Sequence, residues 1–296
     1  MDAWQEGVRR MSRGCRATVP VRLAVVLWIG VLPGCTPDEA TGERVLRVGY
    51  SQEAPFSFLD GSGRVSGEGP ELFRSVAAEL GLPEPEWVAM EFGDLIPALV
   101  AGRIDAIAAG LFITPDRSAQ LLFTHPTFCA RPALVVPVDR PAPPAAGIYT
   151  TSPAIRVAVL RSSVEEAALA ALGATEPHVL PVPDLTTGLA ALGTGVADGL
   201  AVSAPTARYL ASGEAEIPLR ALWPLPYPAV VEPYLRGCGG PAFSRADSAL
   251  VRSWNARLEA FLGSPEHLEL IRPFGFTAED VPAGGERRSG GAEHNP

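Results

Sequence analysis

Two stretches of this chain share one local pattern, and that repeat restricts the fold more than any other feature. Arg103-Ile104-Asp105-Ala106-Ile107-Ala108 follows a glycine turn at Gly102, and Val196-Ala197-Asp198-Gly199-Leu200-Ala201-Val202 follows another at Gly195. Each is a buried strand with an Asp near its start, and each closes an alternation of strand and helix signals. In the first cycle Val45–Tyr50 alternates as a strand and Pro70–Gly81 reads as a helix with Pro at its start and Gly at its stop. A strand over Glu86–Phe92, a short helix over Asp94–Ala101 and the strand Ile104–Ala109 complete it. In the second cycle Ile155–Leu160, Val164–Leu172, Val179–Val182 and Leu185–Leu192 alternate in the same way. A β-α-β-α-β run implies a parallel sheet with ligands at the carboxyl ends of its strands, so two similar α/β halves with a cleft between them are expected.

The Pro-rich segment Pro137–Pro144 separates the halves. Beyond the second half, Tyr227–Leu235 reads as extended, Cys238–Phe243 as a further strand, and Ser244–Leu262 as an amphipathic helix with Leu250, Trp254, Leu258 and Phe261 on one face. A short helix is expected over His267–Phe274. Thr277–Pro296, rich in Gly and charge, is expected to be a mobile tail.

The N-terminus reads as an export signal. Five arginines, Arg9 to Arg22, precede the apolar run Leu23–Leu32, which is too short for a comfortable membrane span. It ends in Leu32-Pro33-Gly34-Cys35, which resembles the lipobox of bacterial lipoproteins. Residues 1–34 are therefore expected to be a lipoprotein signal peptide, Cys35 the acylated residue and residues 35–44 a tether. Met1 and Met11 are alternative starts. The remaining pair, Cys129 and Cys238, permits a disulfide in an oxidising compartment, with two free buried thiols as the competing reading.

A formal net charge of −9, with the leader itself basic, makes nucleic acid an unsuitable partner. All 24 basic residues are Arg. Lysine Schiff-base chemistry and a Walker-type phosphate loop are thus excluded, and Arg is the strong carboxylate ligand that remains. The four histidines have no metal-binding spacing, so neither metal nor cofactor is expected.

Within the first half, Leu111-Phe112-Ile113-Thr114-Pro115-Asp116-Arg117 reads as a strand end, a Thr N-cap, Pro at the first helical position and Arg two residues on. That places a guanidinium and unpaired N–H groups near one spot, a carboxylate receptor. Glu53 and Phe56 lie at the end of an earlier strand, so the ligand is expected to have an anionic and a cationic end.

The order Val48-Gly49-Tyr50, Glu53-Ala54-Pro55-Phe56, Gly67–Pro70, Phe92–Leu99, Gly102–Asp105 and Thr114–Arg117 resembles family 3 solute-binding proteins of ABC importers over nearly the whole mature chain. Gly67–Glu71, Glu91–Pro97 and Ala108–Pro115 are most similar to the ectoine and hydroxyectoine binders. The resemblance implies a two-lobe Venus-flytrap of α/β class (type II periplasmic binding protein) with parallel-rich sheets and a two-strand hinge. Lobe 1 would comprise 45–134 and 235–276, and lobe 2 would comprise 135–234. The hinge strands would lie near Phe128–Pro137 and Val230–Cys238, with Cys129 and Cys238 on neighbouring crossings.

It also implies roles. Arg117 would clamp the ligand carboxylate, aided by Thr114 and the Ile113 N–H. Phe56, Phe92 and Phe112 would cage a delocalised cation, each contact contributing roughly 0.5–2 kcal/mol when desolvated, and Glu53 would be its counter-ion. From lobe 2, Ser163 would bind carboxylate at a helix N-terminus. Glu165 stands where a neutral polar residue is expected: an acid there either turns away from the ligand carboxylate it would repel or marks a more cationic ligand. Ser203 occupies the place where amino-acid binders carry an Asp for the α-ammonium, which argues against an ordinary α-amino acid unless Glu53 or Glu165 substitutes. The expected function is capture of an ectoine-like zwitterion for an ABC permease by a monomeric, lipid-anchored protein that is not an enzyme. A polar amino acid is the alternative ligand, and a cyclohexadienyl-dehydratase-like activity is a remote alternative.

Overall fold

The structure is a computed structural model, which describes residues 44–141, 143, 148–149, 155–214, 217–235 and 237–283. The expected signal peptide, Cys35, the start residue and residues 284–296 lie outside the described residues.

Two five-stranded sheets carry the fold. The first has the order β4-β1-β5-β14-β6, with β1 Arg47–Tyr50, β4 Glu86–Ala89, β5 Ala106–Ile107, β6 Leu122–Phe123 and β14 Ala242–Phe243. The second has the order β10-β9-β11-β8-β12, with β8 Pro132–Pro137, β9 Val157–Leu160, β10 Val179–Val182, β11 Gly199–Ser203 and β12 Leu219–Leu222. In each, three parallel strands are followed by one antiparallel strand, β14 or β8. A hairpin of β2 Phe58–Leu59 and β3 Val65–Ser66 stands beside the first sheet.

The repeated Asp explains itself at this level. Asp105 accepts from the backbone N–H of Arg47 at 2.9 Å and from its guanidinium at 3.0 Å, while the same guanidinium donates to the Gly102 carbonyl. Asp198 does the same with Arg156, which also donates to the Gly195 carbonyl. In both halves the glycine turn is thereby tied to the start of the first strand. The pairing holds the Asp105 carboxyl down at about 2, hydrogen bonds from Arg47 and Arg44 outweighing burial.

Helices pack these sheets: α1 Glu68–Glu79, α2 Leu95–Val100 and α8 Ser248–Phe261 on the first, α4 Val164–Ala171, α5 Leu185–Thr194, α6 Ala204–Tyr209 and α7 Glu232–Leu235 on the second. The turn α3 Pro115–Ser118 and the helix α9 Pro265–Ile271 complete the set. Helix α1 starts two residues before Pro70, behind Gly67 with φ +118°. Pro70 is tolerated there because first-turn N–H groups have no intrahelical partner. In α8 the buried stripe is Val251, Trp254, Leu258 and Phe261, and Leu250 packs partly buried against the same core.

Two expectations are corrected. Tyr227–Leu235 is not extended: Ala229–Val231 forms a 3-10 turn behind Pro228 and leads into α7. The β-branched pair Val230-Val231 suggests a strand, but Val231 and Leu235, four apart, are both buried in the second lobe, which is helical spacing. Nor does a mobile tail begin at Thr277. Thr277 and Asp280 form a capping box, Asp280 pairs with Arg208 at 2.6 Å, and Phe276 and Val281 pack with Phe56 and Phe128.

The lobes are joined by β7 Phe128–Ala130 and β13 Gly237–Gly239, an antiparallel pair in which Cys129 faces Cys238. The second crossing is thus confined to Gly237–Gly239 instead of running from Val230. Cys129 and Cys238 are joined by a disulfide that closes a segment of 109 residues. Closing a loop of that length stabilises the folded state by about 2–5 kcal/mol, chiefly by restricting the unfolded chain. Replacing both cysteines by Ser is expected to lower unfolding free energy by about that amount in urea titration. An unchanged midpoint would show that the crossing is held by its packing alone.

Candidate functional site

The Phe112–Arg117 loop is pinned to the second crossing. Phe112 makes an isolated antiparallel bridge with Gly239, and the Ile113 N–H donates to the Cys238 carbonyl at 2.9 Å. Gly237 and Gly239 suit this contact, since a Cβ at Gly239 would overlap the Phe128 ring and one at Gly237 would lie 3.3 Å from Phe112. Thr114 caps α3, its hydroxyl accepting from the Arg117 N–H at 3.3 Å. The turn directs Arg117 inward, where it is 8% exposed. One guanidinium nitrogen donates to the Phe112 carbonyl and the other to the Ser162 carbonyl on the second lobe, both at 2.8 Å. The guanidinium carbon lies 5.9 Å from the Phe92 ring centroid.

Between the lobes lies a cavity of about 10 Å³, room for roughly one water. Its lining contains seven of the ten expected residues: Glu53, Phe92, Phe112, Arg117, Ser163, Glu165 and Ser203. Gly110, Leu160 and Val164 also line it and were missed. Leu160 ends β9 and Val164 begins α4, so the rule that ligands sit beyond the carboxyl ends of parallel strands was the available signal.

Three expected residues are not at the cavity. Phe56 is fully buried, its ring centroid 4.7 Å from that of Phe128 and 5.2 Å from that of Phe276, directly against Gly110. It supports the wall and is not part of a cage. The Ile113 N–H is spent on Cys238, and the Thr114 hydroxyl serves as the cap.

The N-terminus of α4 is partly engaged by its own neighbours. Ser163 Oγ accepts from the Glu166 N–H at 3.1 Å, Glu166 Oε2 accepts from the Ser162 N–H at 2.6 Å, and the Ser163 N–H donates to the Leu160 carbonyl. What α4 presents to the cavity is the Glu165 side chain, 7% exposed. Ser203, at the end of β11, has its hydroxyl 3.3 Å from that of Thr206.

Three ionisable groups therefore share a nearly dry cleft. Glu53 is pushed up to about 8, first by burial and then by Glu165, with Arg117 opposing. Glu165 is raised by burial, against Arg117 and the hydrogen bonds from the Ser163 hydroxyl and its own backbone N–H. Burial lowers Arg117 to about 10 although both acids oppose it. Among the described residues no group of three or more His, Cys, Asp or Glu is arranged to hold a metal. The arrangement suits reversible capture of a small ion with both charges.

The model of the bacterial extracellular solute-binding proteins, family 3, matches residues 46–276. The chain belongs to that family. It is therefore an extracytoplasmic binding protein and not an enzyme. It is 26% identical over 280 residues to the probable amino-acid ABC transporter periplasmic-binding protein y4tE of Sinorhizobium fredii, covering 93% of this chain and 91% of the relative. The lysine/arginine/ornithine-binding periplasmic protein of Escherichia coli is 31% identical over 146 residues, 49% of this chain and 54% of the relative. Among solved structures, EhuB in complex with hydroxyectoine is similar with a TM-score of 0.69 and 28% identity, over 79% of this chain and 90% of that one. A mutant of the arginine-binding protein ArgBP from T. maritima has a TM-score of 0.66 and 25% identity, over 78% of this chain and 95% of that one.

The raised carboxyls make stability depend on pH in a stated direction. Glu53 at about 8 and Glu68 at about 7, the latter also raised by burial, hold protons in the folded solute-binding protein that the unfolded chain loses near 4.5. The folded state thus binds more protons across this window, and stability falls as pH rises from about 5 to about 8. Thermal unfolding of the ligand-free protein is expected to show a falling midpoint over that range, and Glu53→Gln to flatten it. A midpoint that rises from pH 5 to 8 would contradict the protonated cleft.

Proposed function

We propose that this solute-binding protein captures a small carboxylate-bearing molecule with a cationic end and delivers it to an ABC permease. The observation that carries this reading is Arg117: a buried guanidinium whose two hydrogen bonds go to neutral carbonyls, one on each lobe. A ligand carboxylate placed there exchanges two neutral acceptors for a charged one, which gives shorter and stronger bonds. The Ser162 contact spans the cleft, so the same exchange couples ligand to lobe closure. Since the enclosed space is about 10 Å³, the lobes must part to admit any such ligand.

Two ligand types share this chemistry. An ectoine-like zwitterion is supported by Glu53 with the Phe92 and Phe112 rings at the cavity, by Ser203 in place of an acid, and by the likeness to the hydroxyectoine complex of EhuB. The cage then has two rings, because Phe56 lies behind the wall. A polar amino acid is supported by Glu165, a second buried carboxylate able to take an ammonium group, and by the relatives named for amino acids. The leader and Cys35 support export as a lipoprotein held at the membrane surface.

Calorimetric titration with ectoine, hydroxyectoine, glutamine, glutamate and arginine tests the assignment. At least one is expected to bind with micromolar affinity, and Arg117→Ala to weaken it by about 100-fold or more with folding intact, the loss of a buried charged hydrogen-bond partner. Undiminished affinity in that variant would remove the carboxylate clamp. For the anchor, Cys35→Ser is expected to shift the protein from the membrane fraction to the soluble one. Unchanged membrane association would exclude acylation at Cys35.

A further inference from the structure

The first lobe offers the ligand a group of each sign and the second a further acid, so the imbalance has a direction. On the first lobe stand Arg117 and Glu53; on the second, the first turn of α4 projects Glu165. Both carboxyls are only 7% exposed and line one cavity. No hydrogen bond to the Glu53 carboxyl is formed among the described residues; the charge that acts on Glu165 is Arg117, and Glu165 in turn acts on Glu53 and Tyr149. Tyr149 is buried, and its hydroxyl has no hydrogen-bond partner among the described residues. With one guanidinium against two carboxyls, the cleft reaches neutrality in either of two ways. It keeps a proton, or it takes a ligand of net charge +1.

Resting on the reading of Arg117 as the carboxylate clamp, we propose that Glu165 is a specificity-determining residue which, together with Glu53, makes the cleft select a ligand with one carboxylate and two cationic groups, the chemistry of a basic amino acid, over a neutral zwitterion. The carboxylate meets Arg117, one cationic group meets Glu53 beside Phe92 and Phe112, and the other meets Glu165. Glu165 thereby supplies from α4 the counter-charge that Ser203 does not supply from the end of β11. Binding such a ligand ionises both acids, so protons held by the empty cleft are released to solvent. A neutral zwitterion satisfies one acid and leaves the other to keep its proton.

The test is calorimetric titration of the purified protein at pH 7 with arginine, glutamine and ectoine, repeated in two buffers of different ionisation heat to count protons released. Wild-type protein is expected to bind arginine at least tenfold more tightly than either neutral zwitterion and to release more protons with arginine. In Glu165→Gln, which keeps the shape of the side chain, that preference is expected to fall at least tenfold and proton release to drop. Tighter wild-type binding of ectoine or glutamine than arginine overturns the proposal while leaving the Arg117 clamp standing. So does equal weakening of all three ligands in Glu165→Gln. The wild-type proton count alone decides the matter if that variant is unstable: equal release with arginine and ectoine overturns it. If none of the three binds, or Arg117→Ala binds them unchanged, the clamp itself fails and this inference fails with it.

Discussion

The rest of the structure depends on how closely two three-residue strands approach each other. At the crossing, Gly237, Cys238 and Gly239 face Ala130, Cys129 and Phe128. Glycine on either side of the cysteine lets Phe112 and Phe128 press onto the strand where any Cβ would intrude. Through the Phe112 bridge and the Ile113 hydrogen bond, the same strand sets the height and direction of the Arg117 turn. Hinge and binding loop are therefore one packed unit.

Charge is treated in two ways in this molecule. At the rim of each sheet, an arginine and an aspartate satisfy one another and tie a glycine turn to the first strand, Arg47 with Asp105 and Arg156 with Asp198. In the cleft, satisfaction is withheld. Arg117 bonds to carbonyls, and the two acids sit buried without an ion pair that would hold them at ordinary carboxylate acidity. Buried charge left in this state costs folding free energy, and a ligand of the right charges recovers it. The exposed pair Arg161–Glu91, at 3.8 Å across the mouth, contributes little because water screens it.

Much of this was legible in the sequence because local chemistry dictated it. The strand and helix alternation, the glycine turns, the Thr-Pro start before Arg117 and the Ser163 cap are settled by backbone and near-neighbour bonds. What sequence could not resolve was decided by tertiary packing. Phe56 reads like Phe92 and Phe112, a ring at the end of a strand, yet Gly110 opens a slot that draws it behind the wall. The Ile113 N–H reads as free until Cys238 arrives from more than a hundred residues away. Thr277–Asp280 looks like solvated tail because its partner, Arg208, lies on the other lobe. Glu165 stands out in the sequence for its charge, but its weight rests on burial in the same cavity as Glu53 and Arg117, which only the packed lobes reveal.

The bridge between Cys129 and Cys238 joins the central residues of both crossing strands. Two strands fastened at their midpoints cannot slide past one another, and neither can lengthen its span by unzipping separately. Of the motions open to a pair of lobes, translation along the strands is removed and swinging about the bridge is retained. Such a molecule behaves as a door on a single pin: how far it swings is free to vary with the ligand, whereas the line along which the two edges meet is fixed at oxidation.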